Sequence, residues 1–203
     1  MLRIKQVLMS FMAVSMLVSG IALAQTTSGQ AAPDFTLTDS NGHKHSLSDF
    51  KGKFVVLEWF NPQCPFVKKH YNSGNIPNLQ KQYTAKGVIW LSINSSAEGK
   101  QGSYTPEEFN KFVSDNVAAP TAVLLDRDGK IGRLYGAKTT PDMYVISPEG
   151  TLIYQGAIDD TPGVDIADLK TAKNYVSAAL DAAMSGKPVA VSTTKSYGCS
   201  IKY

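Results

Sequence analysis

Residues 55–69 read V-V-L-E-W-F-N-P-Q-C-P-F-V-K-K. With Phe54, the residues up to Phe60 form a nearly continuous apolar run broken only by Glu58. A run of this kind fits a strand buried on both faces. Asn61-Pro62-Gln63 then turns the chain, and Pro65 suits the first position of a helix. Cys64 therefore falls at a helix N-terminus, where unpaired backbone N–H groups and the helix dipole favour negative charge. A thiolate is such a charge, and this placement lowers a cysteine pKa. Lys68, four residues on, shares the helix face of Cys64 and is expected to tune the thiol further. The reading is a nucleophilic, partly exposed thiolate; an inert buried cysteine is the alternative.

Outward from this stretch, strands alternate with helices. Residues 35–38 and 43–45 flank the turn Asn41-Gly42, an N-terminal β-hairpin. Residues 46–49 read as a capped helical turn. A helix from Cys64 pauses at Ser73-Gly74-Asn75 and resumes over residues 77–85. Strands are expected at residues 88–93, 121–125 and 143–146, the last turning through Ser147-Pro148-Glu149-Gly150 into an antiparallel partner. Thr105-Pro106-Glu107-Glu108 is a helix start with a capping box. Residues 165–185 read as the longest helix, stopped by Gly186-Lys187-Pro188. The fold class is α/β, a mixed central sheet flanked by helices, with the β-hairpin as an extension.

The chain has 203 residues, 43% hydrophobic and 18% charged, the composition of one globular domain. Arg3 and Lys5, the apolar run over residues 7–18 and Ala22-Leu23-Ala24 read as a secretory signal peptide over residues 1–24. The division expected is a leader (1–24), a redox domain (25–186) and an extended tail (187–203) carrying Cys199. Localisation is then periplasmic or secreted, without stable membrane insertion after cleavage. Setting Arg3 and Lys5 aside from 20 basic side chains leaves near balance against 17 acidic ones, so nucleic acid is not an expected partner. Cys64 and Cys199 are the only two cysteines.

The stretch 55–69 resembles the active-site region of thioredoxin-fold proteins, in which a core strand delivers a C-x-x-C pair to a helix start. Cys64 matches the first cysteine, and Val67 stands where the second would be. Over residues 32–186 the chain resembles the redoxin branch, the alkyl hydroperoxide reductase/thiol-specific antioxidant group, through A-P-D-F-T-L-T-D-S-N-G and S-L-S-D-F-K-G-K. It is most similar to the peroxiredoxin-like family with a lone cysteine at the first C-x-x-C position. The peroxidatic pattern P-x-x-x-[TS]-x-x-C is absent: Leu57 and Asn61 replace its proline and its hydroxyl. The resemblance implies a thioredoxin-like fold and an oxidoreductase without cofactor. It implies a cis Thr140–Pro141 bond whose backbone pairs with an extended substrate; an ordinary trans proline is the alternative.

Glu58, six residues before Cys64, is costly in an apolar run unless protonated or paired. Thioredoxins carry an acid there, so it is a candidate for moving the sulfur's proton; a Glu salt-bridged at the sheet edge is the other reading. Trp59 and Phe66 are candidate substrate-shelf residues, with core packing as the simpler alternative. The tail, about 15 residues long, reaches up to roughly 50 Å when extended, enough to bring Cys199 to Cys64. Such a pair either cycles, with Cys199 resolving an adduct on Cys64, or is a permanent staple. Expected partners are protein thiols or disulfides, small peroxides and an external thiol reductant. No metal site is expected: His43, His45 and His70 with Cys64 fit no standard ligand spacing for copper, and His70 reads as a surface residue or a weak electrostatic helper. The rival to an enzyme is a non-catalytic redoxin-fold binding module with a structural Cys64–Cys199 disulfide and, in one version, copper.

Overall fold

The structure is a computed structural model that describes residues 26–203; the leader expected over residues 1–24 lies outside the described residues. Strands β1 (Thr36–Asp39) and β2 (Lys44–Ser46) form the N-terminal hairpin. They are followed by β3 (Val55–Trp59), α1 (Pro65–Asn72), α2 (Asn75–Thr84) and β4 (Ile89–Asn94). Next come α3 (Pro106–Asp115), β5 (Ala122–Leu125) and α4 (Lys130–Tyr135). The chain closes with β6 (Thr139–Thr140), β7 (Asp142–Ile146), β8 (Leu152–Gly156), α5 (Tyr175–Met184) and β9 (Cys199–Ser200).

Seven strands form one mixed sheet in the order β2-β1-β5-β4-β3-β7-β8. β3 runs parallel to β4 and antiparallel to β7, and all five of its residues are buried. That central place explains the near-continuous apolar run, because neither face of β3 meets water. Side chains alternate between faces. Val56 and Phe60 pack in one core layer with Cys64, Val67 and Tyr71. Val55, Leu57 and Trp59 pack in the other, with Tyr135 and Tyr144. The first layer therefore lies between the sheet and the helix that starts at Cys64.

The capping box at Thr105 and Glu108 forms as expected. The single long helix expected over residues 165–185 does not form. A 3-10 turn at Ile166–Lys170 is followed by a break, and α5 starts afresh at Tyr175. Asn174 caps it by accepting the Ser177 N–H, while the amides of Lys173 and Tyr175 donate to Asp160 and Ile158. Those bonds tie the backbone to the loop after β8, which a continuous helix would not allow. Asn174→Ala is expected to cost about 1 kcal/mol, read as a lower urea midpoint at unchanged slope.

Candidate active site

The turn that delivers Cys64 is braced by one side chain. Asn61 Oδ1 accepts the Gln63 N–H at 2.8 Å, and Asn61 Nδ2 donates to the Gln101 carbonyl at 3.1 Å. The Cys64 N–H donates to the Asn61 carbonyl at 3.0 Å. Cys64 is the N-cap of α1 in extended conformation (φ −73°, ψ 126°), with Pro65 next. Its sulfur thus sits where the sequence places it, at the open N-terminus of the helix.

Opposite stands the loop before β7. The Thr140–Pro141 peptide bond is cis, and the Thr140 carbonyl lies 3.1 Å from Cys64 Sγ. The short edge Thr139–Thr140 is paired antiparallel with β9, with Thr139 opposite Ser200 and Thr140 opposite Cys199. This pairing brings Cys199 Sγ to 2.7 Å from Cys64 Sγ, both as free cysteines. Gly198 makes the approach possible. Its φ is +135°, and a Cβ there would lie 2.1 Å from the Thr140 carbonyl oxygen, a backbone atom that cannot give way.

The environment separates the two thiols. Burial opposes ionisation of Cys64, but its interactions with Cys199, Thr140 and the Val67 backbone outweigh it and hold its pKa below the usual thiol value. Burial and the adjoining Cys64 sulfur push Cys199 up to about 12. Cys64 is therefore the more acidic thiol of the pair, and Cys199 is the resistant one. Just behind the cis-proline, burial raises Asp142 to about 6, and the Lys138 N–H donates to its carboxylate at 3.1 Å.

Residues 28–155 match the AhpC/TSA family. The chain belongs to that family. It is 30% identical over 125 residues to thiol-disulfide oxidoreductase ResA of Bacillus subtilis (strain 168), across 62% of this chain and 64% of that relative. The chain thus spans just under two thirds of the length of the curated relatives it matches first. Among solved structures, one conserved protein from Geobacillus kaustophilus superposes with a TM-score of 0.76 at 30% identity, over 89% of this chain and 94% of that one. The thiol:disulfide interchange protein DsbE from Chlorobium tepidum gives 0.52 at 27% identity, over 64% and 85%. The strand order and these likenesses make the fold thioredoxin-like, as the motifs around Cys64 imply.

In this AhpC/TSA chain the structure corrects several readings of single residues. Cys64 is not partly exposed: it has 0% accessible surface, because the tail strand lies against it. Trp59 is no substrate shelf. Strand alternation turns it into the other core layer, where its Nε1 donates to Ser95 Oγ at 3.0 Å and its ring packs on Tyr135 and Tyr144. Lys68 is exposed on α1, and the groups that act most on Cys64 are those of the tail and the cis-proline loop. Phe66 keeps its place beside the cleft, 6.0 Å from the Tyr197 ring. His70 is buried rather than on the surface. Asn75 Nδ2 donates to its Nδ1 at 2.8 Å, and its Nε2 lies 3.2 Å from Tyr197 Oη, which in turn donates to Asp159. Burial holds this imidazole down at about 4, so it is neutral at ordinary pH. His43 stands exposed on the hairpin, and His45 Nε2 bonds Asp39 at 2.9 Å.

Glu58 is fully buried on a central strand, not salt-bridged at an edge. Four donors converge on its carboxylate: Trp90 Nε1 at 2.7 Å, Ser92 Oγ and Tyr71 Oη at 2.9 Å, and Gln80 Nε2 at 3.2 Å. Burial still raises its pKa above the ordinary value. Among the described residues no hydrogen bond joins it to either cysteine.

The tail's grip was present in the sequence as a period of two. Tyr197, Cys199, Ile201 and Tyr203 alternate with Gly198, Ser200 and Lys202. Tyr197 and Cys199 pack on one core layer and Ile201 on the other. Tyr203 donates to the Ala137 carbonyl at 2.7 Å, with the Arg133 guanidinium 4.3 Å from its ring.

Two variants test this arrangement. Gly198→Ala should dislodge β9 and speed iodoacetamide labelling of reduced Cys64 by about tenfold or more, the equivalent of about 1.4 kcal/mol in the open population; peptide mass spectrometry reads the rate, and an unchanged rate would mean that something else covers the sulfur. Glu58→Gln replaces an acceptor oxygen by a donor facing donors, and is expected to destabilise by about 1–3 kcal/mol in urea unfolding.

Proposed function

We propose that this chain is an exported thiol-disulfide oxidoreductase in which Cys64 and Cys199 form one dithiol–disulfide centre. The observation that carries the reading is the pair of sulfurs 2.7 Å apart at the N-terminus of α1, beside the cis Thr140–Pro141 bond. Cysteines far apart in sequence thus do what a C-x-x-C pair does locally. The relatives named thiol-disulfide oxidoreductases support the same chemistry.

In the reduced form, the Cys64 thiolate attacks one sulfur of a protein disulfide once the tail lifts. The substrate S–S bond breaks, its second sulfur leaves as a thiolate, and Cys64 is joined to the substrate. Bonding consumes the Cys64 charge, and with it part of what held the Cys199 proton. Cys199 then passes that proton to the departing substrate thiolate and attacks Cys64 Sγ. The substrate leaves carrying two electrons, and the protein is left with a Cys64–Cys199 disulfide. An external thiol reductant reverses this at the cost of its own oxidation.

Thr140 and Pro141 order the backbone of whatever strand lies beside Cys64, and Phe66 supplies an apolar flank. Glu58 acts at one remove, through the buried hydrogen-bond network beneath α1 and not by direct proton transfer. Small peroxides are the weaker substrate class, because the residue three before Cys64 is Asn61, whose side chain is engaged in the turn. Export rests on the leader-like residues 1–24; no helix of the described residues is long and apolar enough to cross a membrane.

The test is the reduction potential of the Cys64–Cys199 pair with turnover on a protein disulfide. A cycling centre should equilibrate with glutathione at a potential above about −300 mV, and a staple should fall below it. Cys64→Ser should abolish turnover, while Cys199→Ser should stop it at a mixed disulfide on Cys64. Full turnover by Cys64→Ser would defeat the proposal.

A further inference from the structure

Once the two sulfurs are joined, the tail is held against the body by a covalent bond as well as by its strand pairing. Thiol–disulfide exchange is an in-line displacement, and its rate depends on which sulfur is accessible and on how well the other one leaves. In the docked arrangement the two cysteines are not equivalent. Cys64 has no accessible surface. Its sulfur is enclosed by the Thr140 carbonyl at 3.1 Å, the start of α1 and the tail itself. Cys199 is only half-buried, on the short tail strand, with the exposed Ser200 next to it.

We propose that re-reduction of the oxidised centre begins at Cys199, which receives the outside thiol while Cys64 is the sulfur expelled. The inference rests on the reading of Cys64 and Cys199 as a cycling pair. A thiolate RS⁻ attacks Cys199 Sγ, an RS–S bond forms, and the Cys64–Cys199 bond breaks. The electron pair of that bond goes to Cys64, which is released as a thiolate. A second RS⁻, or the second sulfur of a dithiol reductant, then attacks the sulfur of the adduct's R group. It forms RS–SR, and Cys199 leaves as a thiolate that takes up a proton. One reductant disulfide is made and one protein disulfide is lost.

Three features of the site favour this order. The N-terminus of α1 holds the charge of the leaving Cys64, so the bond breaks toward the better leaving group. The Lys202 side chain, which donates to Ser200 Oγ at 3.1 Å, acts electrostatically on Cys199 and draws in an anionic attacker. Lastly, an adduct on Cys199 sits on a tail strand that is free to move out once the disulfide is broken. An adduct on Cys64 would need room in a closed site.

The two half-reactions therefore use different sulfurs. Outgoing electrons leave through Cys64 after the untethered tail lifts, and incoming electrons arrive at Cys199 while the tail is tethered.

The experiment uses the oxidised full-length chain, a limiting amount of reduced glutathione, and a quench with N-ethylmaleimide at successive times, followed by peptide mass spectrometry. The expected early species carries glutathione on Cys199 and maleimide on Cys64, in about tenfold or greater excess over the reverse, a rate ratio that corresponds to roughly 1.4 kcal/mol in barrier. Glutathione on Cys64 with maleimide on Cys199 would overturn the inference and leave the exchange reaction standing. A disulfide that persists untouched at every time and glutathione concentration would overturn both. Where reduction runs to completion with no adduct isolated, the Lys202→Glu chain decides. Its reduction should be at least about threefold slower at low ionic strength, with the gap closing in salt; an unchanged rate counts against Cys199 as the receiving sulfur.

Discussion

The antiparallel pairing of Cys199–Ser200 with the short edge Thr139–Thr140 is the contact on which the site depends. It is a small ladder, two residues on each side, yet it sets three things together. It places Cys199 Sγ on Cys64 Sγ, it removes Cys64 from solvent, and it supplies the donor that keeps the Cys64 thiol acidic despite its burial. The ladder exists because the cis Thr140–Pro141 bond turns the Thr140 backbone toward the tail and because Gly198 can lie on the Thr140 carbonyl. Any side chain at position 198 would collide with backbone and not with a movable group.

The ladder does not act alone. The tail is fastened upstream by Gln155, whose N–H donates to the Ser192 carbonyl and whose carbonyl accepts from Thr194. Downstream, Ile201 donates to the Lys138 carbonyl and Ala97 donates to the Lys202 carbonyl. Between these points Tyr197 joins the tail to α1 through the chain Asn75–His70–Tyr197–Asp159. Lys69, next to His70 and also buried, is satisfied by the Thr161 and Gly163 carbonyls at 2.8 and 3.1 Å, with Asp168 3.9 Å away. Buried polar groups of this kind contribute modestly when satisfied and cost heavily when one partner is lost. They fix where the strand lies, while apolar packing of Tyr197, Ile201 and Tyr203 supplies the attraction.

Much of this was legible in the sequence, for local reasons. The apolar run over residues 54–60, the Pro after Cys64 and the Thr105 capping box are signals read within one element, and each became the structure expected. Pro141 was legible only through resemblance, since nothing local distinguishes a cis from a trans proline. The misreadings are of another kind. Trp59 was read as lying beside the sulfur, yet strand alternation turns it to the core layer opposite that of Cys64, while its neighbour Glu58 is buried with a raised pKa as its place in the apolar run implies. The exposure of Cys64 was misread because what covers it lies 135 residues away. His70 looked like a surface residue because its partners, Tyr197 and Asp159, come from the far end of the chain. The helix expected over residues 165–185 failed for a similar reason, its backbone being claimed by the loop after β8.

The mechanism turns on one property of the reduced site: contact with the tail makes Cys64 the acidic thiol of the pair and Cys199 the resistant one. It is tested most directly by following the Cβ chemical shifts of both cysteines in reduced, selectively labelled protein as pH is raised. Cys64 should deprotonate first, below the ordinary thiol value, while Cys199 holds its proton until about pH 12. Two cysteines titrating together near the ordinary thiol value of about 8.5 would contradict it, since neither the helix terminus nor the neighbouring strand would then be acting on either sulfur.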